Sequence, residues 1–439
     1  MKLFLMCLKG GNWEMNILFI ACYSPFINNS AAIETLQYLN KLSSINGNEV
    51  HLLTVDFPKD SIYYDEGLSK LISPDIKVNL IEGGIVFKKL MLRKHPGSDK
   101  TESKPVDVKK IKLLRSIKNA LVIPDMYKGW AKNATKVGKK IVEEEKIDVI
   151  ISMHEPPSSH LCALYIKKQY KSIPWITYWS DPWLKDSTRK KSNIIKKTIE
   201  KRMEKQVIAL SDRHIFVTEA NRQDYIDEYN ISPDKASIIT RGFDKIFFEN
   251  LSEDEVPEKI NKDKINIIYT GEIFSELRDI RPFIRSVESL KESDSKLYEK
   301  LNIKFFGNID DAEAKEKLES LEVAQVNGRI PFNEAIKYML NSDVLLLFGN
   351  NNSKQIPAKI YEYFGATGKI LVIYGDDKDP IKKLVENNEK CICVDNKEEE
   401  IEKALIKIFA SDKNKLHSMP DYRYEWSNII DRLNKILEG

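Results

Sequence analysis

Four clusters of polar side chains follow apolar, strand-like segments in this sequence, and each offers chemistry that suits a sugar or a phosphate. In ISMHEPPSSH, His154 and Glu155 stand where a strand ends before two prolines. Imidazole donates and accepts hydrogen bonds near neutral pH, so it suits a sugar hydroxyl or a phosphate oxygen. The alternative is that both residues only complete the turn. Ser158 and Ser159 are expected to cap the following helix, and His160 inside it is expected to be structural.

The second cluster is YWSDPWL, in which Asp181 ends an aromatic strand and precedes Trp183. A carboxylate accepts hydrogen bonds from sugar hydroxyls, and the C–H face of a sugar ring packs on an indole. Asp181 is therefore a candidate catalytic residue beside His154. The alternative, held equally open, is that Asp181 only caps the next segment.

The third and fourth clusters combine glycines, cations and a carboxylate. In IIYTGEIFSELRD, Gly271 lets a ligand approach the backbone, a helix start offers N–H groups, and Arg278 offers a forked cation for phosphate. In KQIPAKIYEYFGATGKILVI, Lys359 and Glu362 share one helix face. A carboxylate there can accept both hydroxyls of a ribose while the lysine reaches phosphate. The alternative is a surface ion pair.

Alternating strand and helix patterns surround these clusters and predict an α/β protein with parallel sheets covered on both faces. Strands are expected at 17–22, 50–55, 148–152, 175–179, 214–218, 236–239, from 265, and at 304–306, 344–348, 369–373 and 391–394.

The pattern also predicts two domains of similar size. An N-terminal domain is expected over 15–247, a polar linker over 248–263 and a C-terminal domain over 264–420. A final amphipathic helix over 421–439 is expected to cross back to the first domain. Open parallel sheets bind ligands at the carboxyl ends of their strands, so the cleft between the domains is the expected site.

Composition excludes several classes of protein. Of 439 residues, 42% are hydrophobic and 31% charged, which is typical of folded globular chains. The 69 basic and 66 acidic residues nearly cancel, so a dedicated nucleic-acid binder is disfavoured. The five cysteines form no CxxC pair, so neither a disulfide framework nor a metal site is predicted. This usage fits a reducing cytoplasm, and no apolar run approaches the roughly 18 residues of a spanning helix.

Two segments lie outside the strand and helix pattern. Lys9-Gly10-Gly11 can be encoded by a ribosome-binding sequence a few codons before Met15. We hypothesise that translation starts at Met15 and that residues 1–14 are not native, which N-terminal sequencing of protein from the natural host would test. A lysine-rich stretch over 88–118 is expected to be an exposed helical excursion.

Taken in order, the clusters resemble the GT-B nucleotide-sugar glycosyltransferases, in particular the group 1 or family 4 enzymes of bacterial polysaccharide biosynthesis. The segments that look like the acceptor-side half are IPDMYKGWAKNA, DVIISMHEPPSSHLCAL, IPWITYWSDPW and DRHIFVTEANRQ. Those that look like the donor-side half are IIYTGEIFSELRD, VNGRIPFNEAIKYMLNSDVLLLF and IPAKIYEYFGATGKILVI. The resemblance implies two Rossmann-like domains that face each other across a cleft.

The resemblance also implies roles for individual residues. His154 matches the family's histidine near the transferred sugar and the donor phosphates. Glu362 matches the second glutamate of a Glu, seven residues, Glu motif that binds the ribose. Arg278 falls where the family usually has a phosphate-binding lysine, and Arg329 lies in the segment that lines the nucleobase pocket.

Several positions depart from the family pattern, and two of them concern the sugar and phosphate contacts. The first glutamate of the motif falls at Lys354, so sugar recognition must differ there or pass to Gln355. The arginine that usually follows the strand glycine is Glu272, which removes one phosphate cation unless Lys359 compensates.

The implied reaction moves a sugar from a nucleoside diphosphate to a hydroxyl of a glycan, with retention of configuration and with neither metal nor cofactor. A polyprenyl-diphosphate-linked acceptor at the inner face of the plasma membrane is expected, with peripheral contact to anionic lipid through lysines of 88–118. The alternative for these lysines, held equally open, is a solvated charged face. One alternative is a catalytically silent nucleotide-binding scaffold or regulatory subunit, which Lys354 and Glu272 favour. A nucleotide-sugar epimerase ranks lower, because His154 lacks a convincing second carboxylate partner.

Overall fold

The computed structural model describes residues 14–45, 47–91, 122–185, 193–351 and 353–438. The chain divides into two compact units. One unit extends to Ile239 and also takes in the end of the chain from Leu433, and the other runs from Thr240 to Arg432. The predicted bounds of the domains, the linker and the returning helix stay predictions. Residues 1–13 and most of the lysine-rich excursion over 88–118 lie outside the described residues.

The described part of the first unit contains one sheet of seven parallel strands. The strands are β1 (Asn16–Ala21), β2 (Glu49–Val55), β3 (Lys77–Ile81), β4 (Val149–His154), β5 (Trp175–Trp179), β6 (Arg213–Phe216) and β7 (Ala236–Ile238). Their order in the sheet is β3-β2-β1-β4-β5-β6-β7. Apolar runs such as ILFIA in β1 are buried throughout, as is typical of parallel strands with helices on both faces.

Helices alternate with these strands. They are α1 (Ser30–Ser43), α2 (Glu66–Ser69), α3 (Gly84–Leu90), α4 (Lys128–Glu144), α5 (Ser158–Lys167), α6 (Ile194–Leu210) and α7 (Glu219–Tyr229). Side-chain caps fix several starts, since Asn29, Asn193 and Thr218 accept backbone N–H groups at the beginnings of α1, α6 and α7.

The second unit has a sheet of six parallel strands among its described residues. They are β8 (Ile265–Thr270), β9 (Leu301–Phe306), β10 (Ala324–Asn327), β11 (Val344–Phe348), β12 (Lys369–Ile373) and β13 (Cys391–Val394). The order is β10-β9-β8-β11-β12-β13. The helices from residue 240 onward are α8 (Lys245–Ser252), α9 (Arg281–Ser293), α10 (Ser295–Glu299), α11 (Ala312–Glu319), α12 (Phe332–Leu340), α13 (Lys359–Tyr363), α14 (Ile381–Val385), α15 (Glu398–Ala410) and α16 (Trp426–Glu438).

In both sheets the order in which the chain adds strands reverses at the first strand of the unit. In the first sheet β1 lies between β2 and β4, and in the second sheet β8 lies between β9 and β11. The connections leave such a pair of strands on opposite faces, which opens a crevice at their carboxyl ends. Each unit therefore has a Rossmann-like switch point, and the expected α/β parallel architecture of each half is confirmed.

The apolar runs in the sequence did not predict two of the strands, β3 and β10, and both lie at an edge of their sheet. β3 pairs only with β2, and β10 pairs only with β9. Their sequences, KVNLI and AQVN, carry polar side chains, and all but one residue of each strand is at least partly exposed. Edge strands pair on one side only and are kept polar, so a search for apolar runs passes over them.

A layer of buried aromatic side chains fills the first unit near the ends of β4 and β5. Trp130, Trp175, Trp179 and Trp183 are all buried, and His160 lies among them with its ring 4.4 Å from that of Trp179.

No helix of the described residues combines the length and the apolar character needed to cross a bilayer.

Burial of His160 makes the first unit sensitive to acid. Burial lowers the pKa of its imidazole from 6.5 to about 3. Below pH 6.5 the imidazole of His160 is therefore protonated in the unfolded chain but stays neutral in the folded chain. The free energy of unfolding then falls as the pH drops. We expect a loss on the order of 2 kcal/mol at pH 5, since one pKa unit corresponds to about 1.4 kcal/mol.

Urea unfolding of wild type and His160→Gln at pH 7 and pH 5 measures this loss. The variant is expected to lose less stability between the two pH values than wild type, whatever its stability at pH 7. Equal losses in the two proteins would contradict the assignment to His160.

Candidate functional site

Arg278 spans the switch point of the second sheet. Its Nε donates to Asn350 Oδ1 at 3.0 Å, just beyond the end of β11, and its Nη1 donates to the Glu272 carbonyl oxygen at 2.8 Å, just beyond β8. Nη1 also lies 3.4 Å from the Tyr269 hydroxyl. All three acceptors are neutral, and among the described residues Arg278 forms no ion pair with a carboxylate. Its positive charge is therefore available to an anion.

Gly271 gives the loop after β8 a backbone conformation that other residues rarely adopt. Its φ is +139°, and a Cβ built on it lies 3.9 Å from Lys359 Cγ. A Cβ on Gly307, after β9, would lie 2.0 Å from the Gly271 carbonyl oxygen. Two glycines thus let the loops after β8 and β9 touch backbone to backbone.

Lys359 and Glu362 form an ion pair on α13 beside this glycine. Lys359 Nζ donates to Glu362 Oε2 at 2.6 Å, and the side chains are only 24% and 10% exposed. A carboxylate buried to this extent needs a partner. The pair is therefore not a solvated surface pair, which was the alternative that its spacing left open.

Glu272 links the loop after β8 to the loop after β10. Its Oε1 accepts from Arg329 Nη2 at 2.8 Å, and its Oε2 accepts from the Asn308 backbone N–H at 3.3 Å. The sequence marked this position only as a departure from a family pattern. The ion pair with Arg329 is a role that spacing alone did not reveal, because 57 residues separate the partners.

The structure therefore brings together all five residues predicted on the donor side. Together with Glu272 they form what we call the Gly271 cluster, whose members are Gly271, Glu272, Arg278, Arg329, Lys359 and Glu362. The helix expected after the loop that contains Arg278 is α9, which begins at Arg281 with a proline in its first turn.

His154 and Asp181 lie at neighbouring strand ends in the first unit. His154 ends β4 and stands in register with Trp179 of β5, two residues before Asp181. The Ser180 hydroxyl donates to the His154 carbonyl oxygen. The imidazole is 1% exposed and stacks on Trp179 with ring centroids 5.7 Å apart, while Asp181 is partly exposed. Both predicted residues thus stand at the carboxyl edge of the sheet.

The two serines after His154 do not cap α5 with their side chains as the sequence suggested. Ser159 Oγ accepts from the Cys22 backbone N–H at 2.9 Å, at the end of β1. Ser158 donates from its backbone N–H and its hydroxyl to the Asp125 carboxylate, at 3.0 and 2.6 Å. Asp125, in the segment IPDMYKGWAKNA, was not singled out from the sequence. It anchors the first turn of α5 at the switch point between β1 and β4.

His160 occupies the position expected of a structural residue. Its Nδ1 lies 2.8 Å from Ser152 Oγ, which also accepts from Trp175 Nε1 at 2.8 Å. The imidazole is fully buried. This network holds β4, β5 and α5 together beneath His154.

One group of side chains has the spacing of metal ligands. Glu49, His51 and Glu145 place their ligand atoms within 4.8 Å of one another. The Lys77 ammonium contacts Glu49 and lies 3.7 Å from Glu145 Oε2, so a protein cation already lies beside both carboxylates. The group stands at the amino ends of β2 and β3, at the sheet edge opposite His154.

Comparison with known proteins places this arrangement in context. Residues 97–245, which include His154 and Asp181, match the family described as Glycosyltransferase Family 4. None of the curated proteins compared with the chain matches it.

Several solved structures are similar over almost the whole chain. A glycosyltransferase from Rickettsia africae has 14% identity, covers 98% of both chains and gives a TM-score of 0.57. Sucrose-phosphate synthase from Thermosynechococcus elongatus has 14% identity, covers 97% of this chain and 98% of its own, and gives 0.61. The UDP-GlcNAc 2-epimerase of Neisseria meningitidis, bound to UDP-GlcNAc, has 12% identity, covers 97% and 100%, and gives 0.57. At these identities the likeness shows the fold, which is the GT-B fold.

The conformation of Gly271 predicts a clear difference between two glycine substitutions. Gly271→Ala forces a side chain into the positive-φ region and is expected to cost about 1–3 kcal/mol. Gly328 has open space around its Cβ position and no positive φ, so Gly328→Ala is the matched control and is expected to stay within about 0.5 kcal/mol. Thermal unfolding of both variants measures the difference, and equal melting temperatures would contradict the assigned strain.

Proposed function

We propose that this protein transfers a sugar from a nucleoside-diphosphate sugar to a hydroxyl of a glycan or lipid-linked glycan in bacterial surface polysaccharide synthesis, with retention of configuration. The observation that carries the proposal is the Gly271 cluster, which gathers three cations and a buried carboxylate at the switch point of the second sheet. Residues 97–245 support it through their match to a glycosyltransferase family.

In this proposal the Lys359–Glu362 ion pair is exchanged when the donor binds. The ribose hydroxyls donate to Glu362, and Lys359 turns to a phosphate oxygen. The exchange leaves Glu362 with two hydrogen-bond donors and Lys359 with an anionic partner, so neither charged group is buried without hydrogen bonds. Arg329 lies on the loop that we assign to the nucleobase, and its guanidinium reaches across to Glu272 in the loop after β8, next to the proposed phosphate site.

Arg278 has the central part in the chemical step that we propose. Departure of the nucleoside diphosphate builds negative charge on its phosphates while the sugar becomes oxocarbenium-like. A guanidinium that three neutral groups already hold in place stabilises that charge without reorganising. We therefore propose that transfer needs neither a metal ion nor a cofactor.

The acceptor side of the proposal rests on His154 and Asp181. Their strand ends adjoin, and the Ser180 hydroxyl ties one to the other. We propose that His154 contacts the transferred sugar or its phosphate and that Asp181 accepts a hydrogen bond from a hydroxyl. The buried aromatic layer behind His154 holds its ring in one orientation.

An epimerase is a second candidate, because a UDP-GlcNAc 2-epimerase shares the fold over nearly the whole chain. Incubation with a nucleotide sugar and no acceptor separates the two activities. NMR of the sugar would show a second epimer accumulating if the protein is an epimerase. A transferase yields no epimer and releases nucleoside diphosphate when an acceptor is added. Nucleotide binding with neither outcome would favour the silent subunit, which Lys354 and Glu272 suggest.

Binding of the donor is expected to depend on the Gly271 cluster. A ligand at 100 times its dissociation constant stabilises the native state by about 2.7 kcal/mol, which raises the melting temperature by several degrees. In a thermal-shift screen of nucleoside diphosphates and their sugars, one nucleotide is expected to stabilise wild type. Arg278→Ala and Glu362→Ala are expected to lose that shift.

Matched controls for this screen come from the same unit. Arg285 on α9 is exposed and Glu334 on α12 is partly exposed, and both lie outside the Gly271 cluster, so Arg285→Ala and Glu334→Ala should keep the shift. A well-folded wild type that responds to no nucleotide would refute the proposed donor site.

Peripheral attachment to the inner face of the plasma membrane forms part of the proposal, through lysines of the stretch 88–118. Each lysine near an anionic surface contributes on the order of 1 kcal/mol, and salt weakens the attraction. In a flotation assay at low salt, the protein is expected to float with vesicles of equal parts phosphatidylcholine and phosphatidylglycerol. It is not expected to float with vesicles of pure phosphatidylcholine.

Two pairs of substitutions isolate the contribution of this stretch. Lys88→Glu with Lys89→Glu should weaken flotation, whereas Lys315→Glu with Lys317→Glu changes the charge equally on α11 of the other unit and should not. No salt-sensitive flotation of wild type would refute membrane attachment.

A further inference from the structure

The charges of the Gly271 cluster are nearly balanced. Its three cations are Arg278, Arg329 and Lys359, and its two carboxylates are Glu272 and Glu362. Lys359 pairs with Glu362 at 2.6 Å, and Arg329 pairs with Glu272 at 2.8 Å. One positive charge, that of Arg278, is left to attract an anion.

Glu272 is held firmly in the position where it neutralises Arg329. Its carboxylate accepts from Arg329 and from the Asn308 backbone, and its carbonyl oxygen accepts from Arg278 Nη1 at 2.8 Å and from the Tyr269 hydroxyl at 3.2 Å. The side chain is 26% exposed. Since both ends of the residue are anchored, the carboxylate stays in the loop after β8, close to the phosphates that we propose Arg278 binds.

Arg329 and Lys359 differ in what happens to their partners on binding. The proposed function gives Glu362 a new partner, the ribose, and so releases Lys359. Glu272 has no such exchange, because its second oxygen is already bound to the Asn308 backbone. Arg329 therefore stays neutralised when the nucleotide is in place.

We propose that Glu272 is a specificity-determining residue. Its carboxylate offsets the positive charge of Arg329, so the site binds highly charged phosphate groups less tightly. The inference rests on the proposed function and deepens it. A free nucleoside diphosphate carries a terminal phosphate with a second ionisation near pH 6, so at neutral pH it is more negative than the nucleotide sugar. Glu272 thus favours the donor over the nucleoside diphosphate that remains after transfer, which promotes release of that product.

Calorimetric titration of wild type and Glu272→Gln tests the proposal. The probes are uridine, UMP, UDP and UDP-GlcNAc, followed by the guanosine, adenosine, cytidine and thymidine compounds. The substitution removes one charge and keeps the shape. For the nucleotide that binds, we expect Glu272→Gln to gain on the order of tenfold for the diphosphate and roughly threefold for its sugar at low salt, with no gain for the nucleoside.

Two further variants show whether the gain arises from charge. Glu272→Asp keeps the carboxylate and should keep the wild-type preference for the sugar nucleotide. Glu276→Gln removes an exposed charge from the same loop and should show no gain that grows with phosphate charge. Circular dichroism and thermal unfolding confirm that each variant is folded.

A double-mutant cycle tests the dependence on Arg329. In the Arg329→Gln background, Glu272→Gln is expected to give no gain, because no cation remains to be released. A gain that persists there, or a gain of equal size for the nucleoside, would overturn the role of Glu272 while leaving the donor site intact. Absence of nucleotide binding in both wild type and Glu272→Gln would overturn the proposed function and this inference together.

Discussion

The backbone contact between the loops after β8 and β9 underlies the arrangement of the second unit's candidate site. Gly271 has a positive φ, and Gly307 leaves no Cβ to collide with the Gly271 carbonyl oxygen. This contact puts Glu272 within reach of the Asn308 N–H and brings Arg278 across to both strand ends. A side chain at Gly307 would push the loops apart, and one at Gly271 would strain the backbone through its positive φ. Either change would disturb the pairing of Glu272 with Arg329.

Electrostatics then decides what such a site can accept. Each buried or half-buried charge in the Gly271 cluster has a defined partner, because an unpaired charge in this environment costs several kcal/mol. Arg278 differs, since its partners are neutral dipoles that orient the guanidinium without cancelling its charge. A site of this kind is prepared for an anion before one arrives, and preorganised groups stabilise developing charge most effectively.

In the first unit, hydrogen bonds and aromatic packing hold His154 in place. Hydrogen bonds from the Cys22 backbone N–H to Ser159 and from Ser158 to Asp125 tie α5 to the strand and loop on the other side of the switch point. Beneath them, Ser152 joins His160 to Trp175. The result is an imidazole fixed by aromatic packing at the carboxyl edge of the sheet, where open α/β sheets bind their ligands.

Local signals in the sequence determined most of the secondary structure and the positions of the polar clusters. Apolar runs marked the central strands, because the burial pattern of a strand is written in neighbouring residues. The roles proposed for the clusters remain predictions. Tertiary structure alone decided the edge strands β3 and β10, the two serine contacts after His154 and the Glu272–Arg329 pair. Each of these depends on groups distant in sequence that meet only once the sheets have formed, so no local pattern records them.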